Sequence, residues 1–381
     1  MNFNNVTKLA LGGLLLGVAQ PSQAEEAITL EAVYAADTVA TMAGGVDGKV
    51  RYMDNLDLTA EVDLGQLVGW KGARAFVYVL SNFGEFANNG AGSVQGIDNI
   101  EVPAHGVRLY EAWIEQQVGA TLSLKAGLYD LNSEFYVTDA SGLLIAPPFG
   151  IGSELAGTGV AGPSIFPSTG LGVRARAMVG KSGYVQAALV NAHAGSWREP
   201  GGINVSFDRG LLAIAEAGFG EKLKLGLGAW TYTDKQDHIY LTDLAGDPEK
   251  RAAHGVYALG QWQASEKTTL FLRGGLSDGR TSSFKAGYQL GFLTQEVIKG
   301  REDSALSLGV HGSWLSDGYR QALVDAGSTP RRMETVVEAT FTDRLTKHVS
   351  LQPDLQYIFN PGGDAGIANA LVATLRVTLD F

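Results

Sequence analysis

The chain has 381 residues, 50 of them glycine, no cysteine, and a formal charge of −11. The missing cysteine excludes thiol catalysis, cysteine metal sites and disulfide staples, and the acidic balance argues against nucleic acid as a partner. Beyond the N-terminal region, no apolar run approaches the roughly 18 residues that a membrane-spanning helix needs.

The first element reads as an export signal. Lys8 supplies a positive start, Leu9 to Ala19 is an apolar stretch too short to span a bilayer, and Ser22-Gln23-Ala24 ends in small residues. The expected cut follows Ala24, which leaves 25–381 as one domain.

From there the dominant signal is alternation. In Leu56-Asp57-Leu58-Thr59-Ala60-Glu61-Val62-Asp63-Leu64 every second residue is apolar, as a strand with one greasy and one wet face requires. About sixteen such strands follow: 29–40, 50–64, 73–82, 107–118, 121–130, 171–179, 184–193, 210–219, 223–233, 255–264, 268–277, 283–293, 304–315, 333–343, 349–359 and 370–381. Most have the length that a tilted strand needs to cross a membrane.

The connections alternate as well. Short ones lie near Gly119, at 180–183, at 220–222 and at 265–267. Long ones cover 83–106, 131–170, 194–209, 234–254 and 316–332, while 278–282 is a short exception. The pattern predicts an all-β fold: a transmembrane antiparallel β-barrel with short periplasmic turns and long extracellular loops. Closure satisfies every backbone group without leaving a sheet edge in lipid. Leu122, Leu124, Leu223, Leu225, Leu227, Phe284, Ala286, Tyr288 and Leu290 are expected to face lipid. Lys125, Arg174, Arg176, Lys224, Arg273, Lys285, His311 and Arg376 are expected to line a polar, water-filled lumen.

Segment 131–170 has neither the helical nor the strand period and is rich in Gly, Pro and apolar side chains. As the third extracellular connection it is long enough to dip into the barrel and return. Folded inward, it would pack Leu143, Leu144, Ile145, Phe149, Ile151, Ile165 and Phe166 on the inner wall as a constriction loop; folded outward, it would be a lid. The chain ends at Phe381, on the face of Leu371, Leu375, Val377 and Leu379. A terminal aromatic there resembles the signal read by the barrel assembly machinery.

Three segments resemble the carbohydrate-selective porin family of Gram-negative outer membranes (OprB type): AGLYDLNSEFYVTDASGLLIAPPFGIG (126–152), AGPSIFPSTGLGVR (161–174) and SLQPDLQYIFNPGG (350–363). Weaker likeness runs through 62–85 and 108–117. The resemblance implies a sixteen-stranded barrel that passes monosaccharides such as glucose, with loop 131–170 folded into the lumen.

A sugar has apolar faces and many hydroxyls, so its channel needs rings to cover the faces and fixed polar groups to replace hydration. In Leu109-Tyr110-Glu111-Ala112-Trp113-Ile114-Glu115-Gln116-Gln117, alternation puts Glu111, Trp113, Glu115 and Gln117 on the polar side and Tyr110, Ala112 and Ile114 toward lipid. This set reads either as a sugar track or as a salt-bridge ladder with a girdle Trp. Its expected cations are Arg74 and Lys125, with Arg174 and Arg176 further on, giving a transverse field across the lumen. Asp130, Glu134 and Glu154 are the loop's candidate polar groups. Trp197 and Trp230 read as further platforms or as packing residues.

Histidines 105, 193, 238, 254, 311 and 348 show no metal-ligand spacing, Gly-rich 149–157 lacks the strand-then-helix setting of a phosphate loop, and no GxSxG elbow occurs. The expectation is a porin without cofactor, metal or catalytic residues, whose partners are a sugar substrate and outer-membrane lipid, acting as a monomer or homotrimer. The same fold also accommodates a general or ion-preferring porin. A barrel enzyme acting on lipid or peptide has less support.

Overall fold

The computed structural model describes residues 27–195 and 202–381. The expected signal region 1–24 and Trp197 lie outside the described residues. Each expected strand is present. They are β1 (Ile28–Gly45), β2 (Val50–Asp63), β3 (Ala73–Gly84), β4 (Gly106–Val118), β5 (Leu122–Tyr129), β6 (Gly170–Val179), β7 (Gly183–Asn191), β8 (Leu211–Phe219) and β9 (Leu223–Tyr232). Then come β12 (His254–Gln263), β13 (Thr268–Ser277), β14 (Phe284–Gln295), β15 (Ala305–Leu315), β16 (Met333–Thr346), β17 (Val349–Phe359) and β18 (Ala368–Asp380). Two further strands, β10 (Gln236–Thr242) and β11 (Pro248–Arg251), make a separate hairpin in the connection between β9 and β12. The connection 316–332 holds the helix Asp317–Asp325, capped by the Ser316 hydroxyl accepting from the Tyr319 amide.

The sixteen strands close into one antiparallel barrel in which β1 pairs with both β2 and β18. At that seam Asp37 and Arg376 stand opposite each other. The Arg376 Nε donates to both Asp37 oxygens, at 2.9 and 3.1 Å, and Nη2 donates to Oδ2 at 2.6 Å.

The outer face carries large exposed apolar side chains, Leu223, Leu225 and Leu227 on β9 and Val173, Leu272, Leu290 and Leu355 on other strands among them. In water such a belt is costly; in lipid it is the natural surface. Exposed rings border it at both ends. Trp70, Phe219, Trp262 and Phe381 mark the short-turn end, and Tyr52, Phe83, Trp314 and Phe359 the long-loop end. No helix among the described residues is long and apolar enough to cross a membrane; the strands do so.

The interior combines polar wall groups with apolar packing from the inserted loop. Segment 130–169 lies against the inner wall of the barrel. Its Leu131, Phe135, Tyr136, Ile151 and Leu155 form one buried cluster with Ala188, Val190, Leu212, Ile214, Trp230, Tyr232, Tyr257 and Leu259. Polar wall groups pin its backbone. Arg273 donates to the carbonyls of Tyr136, Gly150 and Pro148 at 2.7–2.9 Å. Glu338 accepts from the amides of Ile145 and Ala146 at 2.5 and 3.0 Å, and Glu216 from that of Tyr136 at 2.8 Å.

A second connection, 85–105, also turns inward, which alternation did not indicate. Glu334 accepts from Val94, from Gln95 and from Ser93, and the Ile97 carbonyl accepts from Gln356. Gln95 joins the two inserted segments: its Oε1 accepts from Ser153 at 3.2 Å and from Ser313 at 2.6 Å.

Two lipid-facing expectations are corrected. In the β3–β4 pairing Tyr78 opposes Glu111 and Val79 opposes Leu109, so Tyr110 sits in a bulge. The bulge turns Tyr110 inward, 4% exposed, beside Glu111. A second irregularity at Lys285 leaves Phe284 buried, close enough to Gly157 to limit a side chain there.

Candidate functional site

The inserted segments cover most of the inner wall. Segment 130–169 is hydrogen-bonded to β7, β8, β12, β13, β16 and β17, and 85–105 to β15–β18. A strip of β2, β3 and β4 keeps part-exposed inward side chains: Asp57, Phe76, Tyr78 and Trp113.

The strip is a ladder of rings. Phe76 and Trp113 face each other in register and stack, with centroids 5.1 Å apart. Tyr78 follows edge-on at 6.3 Å from Phe76, then Tyr110 at 4.9 Å from Tyr78 and Phe166 at 6.1 Å from Tyr110. The Tyr78 hydroxyl donates to Asp57 at 2.7 Å, and Asp57 also accepts from Asn55 at 2.6 Å.

A charge cluster borders the ladder. Arg74 Nε donates to Glu115 at 2.6 Å and its Nη1 to Glu61 at 3.3 Å. Arg174 Nη2 donates to Glu115 at 2.7 Å and to Glu134 at 2.7 Å, and its Nε reaches Glu134 at 2.5 Å. Ser123 also donates to Glu115. Lys125 stands opposite Glu115 in register, yet its Nζ turns to Glu134 at 2.7 Å and sits 4.0 Å from the Trp113 ring centroid. A cation over an indole contributes roughly 0.5–2 kcal/mol.

Three cations thus alternate with three carboxylates along one wall instead of facing each other across the lumen. The expected transverse field gives way to a locally neutralised, strongly polar surface. Burial works against ionised Glu134, but hydrogen bonds from Arg174 and the charge of Lys125 win, and its carboxyl lies below the usual range.

The structure therefore brings together Arg74, Glu115, Lys125, Glu134 and Arg174, with Trp113 beside them. Glu111 joins at one edge, accepting from Trp113 Nε1 at 3.0 Å and from the Asp130 amide at 3.1 Å. Asp130 caps the turn that starts the inserted segment, accepting from the Asn132 amide at 2.8 Å, and burial pushes its carboxyl up to about 6. Arg176 lies apart, its guanidinium 4.6 Å from the Tyr184 ring. Glu154 is not in this group: it is 1% exposed, held by the Tyr136 hydroxyl at 2.8 Å behind the inserted segment. Trp230 is 3% exposed in the apolar cluster.

Two cavities flank the inserted segment. One of about 470 Å³ opens at the long-loop side between Asp98, Asn99, Glu101, Asn132, Phe149 and Phe166. The other, about 460 Å³, lies at the short-turn side and includes Ser133, Asp139, Arg176, Tyr184 and Lys224. Phe76, Tyr78 and Asp57 were missed from sequence. The available signal was Arg74-Ala75-Phe76-Val77-Tyr78, where two rings share the parity of an inward arginine.

A closed sixteen-stranded barrel with a lipid-facing belt, aromatic borders and inserted loops defines an outer-membrane porin. Residues 47–381 match the model of the carbohydrate-selective porin, OprB family, and the chain belongs to that family. Porin B of Pseudomonas aeruginosa is 23% identical over 91% of this chain and 86% of its own length. The high-pH structure of Pseudomonas putida OprB superposes with a TM-score of 0.82 at 20% identity, covering 94% of this chain and 95% of that one. The outer-membrane channel DcaP of Acinetobacter baumannii shares the fold more loosely, with a TM-score of 0.59 at 11% identity and coverage of 93% and 97%.

Proposed function

We propose that the protein carries small neutral carbohydrates, monosaccharides such as glucose, across the outer membrane by facilitated diffusion along the β2–β4 strip, without a chemical step. The observation that supports this most is the stacked ring ladder bordered by mutually neutralised charges. Part-exposed Phe76, Tyr78 and Trp113 offer apolar ring surface to a pyranose, while Arg74, Lys125, Glu111, Asp130 and Asp57 offer donors and acceptors to its hydroxyls. Local charge neutralisation suits an uncharged solute, since no net field has to be screened as it passes. Segment 130–169 narrows the lumen and confines traffic to the strip. Binding has to stay weak for transport to proceed.

The same reading has the chain exported by a signal cut after Ala24. It also has the chain engaged by the assembly machinery at Phe381, whose side chain is exposed beside the short turns. Planar-bilayer recording tests the transport reading: glucose should interrupt the ion current in a concentration-dependent way. Strong ion selectivity with no sugar block would favour an ion-preferring porin instead.

A further inference from the structure

Inward positions of three neighbouring strands are bare where segment 130–169 rests on them. Gly275 of β13 and Gly287 of β14 are direct register partners. A Cβ on Gly275 would lie 2.0 Å from Glu154 Oε1, and one on Gly287 would lie 2.3 Å from Glu154 Oε2. The carboxylate therefore rests on two stretches of naked backbone, an approach that only glycine permits. On β15, Gly309 repeats the device beneath Phe149, whose ring would meet a Cβ at 2.5 Å.

The end of a glutamate usually swings clear of an added methyl. This one has nowhere to go. Its Oε1 is held by the Tyr136 hydroxyl at 2.8 Å, and the Tyr136 ring stacks on Tyr257 with centroids 4.1 Å apart. The Tyr136 amide donates to Glu216, and its carbonyl accepts from Arg273. Moving Glu154 means moving the pinned segment.

We propose that Gly275 and Gly287 set the aperture of the channel: they are the seat of Glu154, and the depth of that seat fixes how far segment 130–169 stands away from β13 and β14. A side chain in the seat pushes the segment toward β2–β4 and narrows the strip between them. The inference rests on the channel reading above, but conductance in plain KCl reads aperture without any sugar.

Single-channel conductance of Gly287→Ala and Gly275→Ala, each checked for barrel assembly by heat-modifiable electrophoretic mobility, should fall below that of the unmodified protein. In a Glu154→Ala background, Gly287→Ala should have no further effect, because nothing remains to clash; coupling of this kind is what contacting residues show. Gly309→Ala should also lower conductance, through Phe149, and should do so whether or not Glu154 is present. Assembled Gly287→Ala channels of unchanged conductance overturn the proposal, as does an equal loss with and without Glu154. Should Gly287→Ala alone not assemble, recovery of assembly by Glu154→Ala supports the seat, and no recovery overturns it. A protein that conducts in no form contradicts the channel reading instead.

Discussion

Arg174 of the barrel wall grips Glu134 of the inserted segment at two points, Nε to Oε2 at 2.5 Å and Nη2 to Oε1 at 2.7 Å. The fork takes both carboxylate oxygens, and the Lys125 ammonium adds a third contact at 2.7 Å. Both partners are shielded from solvent, so removing the Glu134 charge strands the buried Lys125 ammonium and takes from Arg174 one of its two carboxylates. Glu134→Gln should cost about 3–5 kcal/mol, read as a lower midpoint of heat or urea unfolding. It should also move the reversal potential toward anions, since Lys125 loses its counter-charge and Arg174 is left with Glu115 alone. An unchanged midpoint would show that the clamp adds nothing to the hold on the segment.

The ring ladder makes a separate prediction about sugar. Trp113 stacks on Phe76 and carries Lys125 over its face. Aromatic contacts of this kind contribute roughly 0.5–1.5 kcal/mol each, equivalent to about 2- to 10-fold in affinity. Phe76→Ala and Trp113→Ala should each raise the glucose concentration needed for half-block by about that factor while leaving the barrel assembled. Titration of the current block checks this.

Trp230 makes the contrast. It lies buried with Tyr232, Ile214 and Leu212 in the apolar cluster, away from the strip. Trp230→Ala should cost about 3–5 kcal/mol of stability, again read from unfolding midpoints. Sugar block by assembled channels should hardly change. A large loss of block would reassign Trp230 to the sugar path.

Acidity should tune the passage through Asp130. Burial raises its carboxyl to about 6, so the group is neutral well below that pH and negative well above it. Cation preference should therefore increase as pH rises through about 6, and Asp130→Asn should flatten that rise. Reversal potentials under a salt gradient at a series of pH values measure both.

Much of this architecture is legible in the sequence because lipid on one side and polar groups on the other enforce a period of two. Leu223, Leu225 and Leu227 point outward as their alternation says. The reading fails where both faces are apolar. In β8, Leu212 and Ile214 share their face with Glu216, and the other face is mostly alanine, so nothing local tells a lumen core from a lipid belt.

The bulge at Tyr110 leaves only a faint mark, the adjacent apolar pair Leu109-Tyr110 between Arg108 and Glu111, where the chain slips by one residue. Segment 85–105 reads as an ordinary surface loop because its partners Glu334, Gln356 and Arg376 lie more than 200 residues away. At the site, the charged members were legible as inward parity. Arg74 pairs with Glu115 as expected, but the partner of Lys125 was not legible, because it passes over its register partner Glu115 to reach Glu134.

On the proposed function, carbohydrate travels along the wall formed by β2, β3 and β4. Single-channel recording with glucose on one side of the bilayer, comparing the unmodified protein with the double variant Phe76→Ala/Trp113→Ala, tests it most directly. The unmodified channel should show sugar-dependent interruptions of the current, and these should weaken in the double variant, whose open conductance should not fall. Unmodified channels that glucose neither blocks nor crosses would contradict it, as would a double variant blocked as strongly as the original.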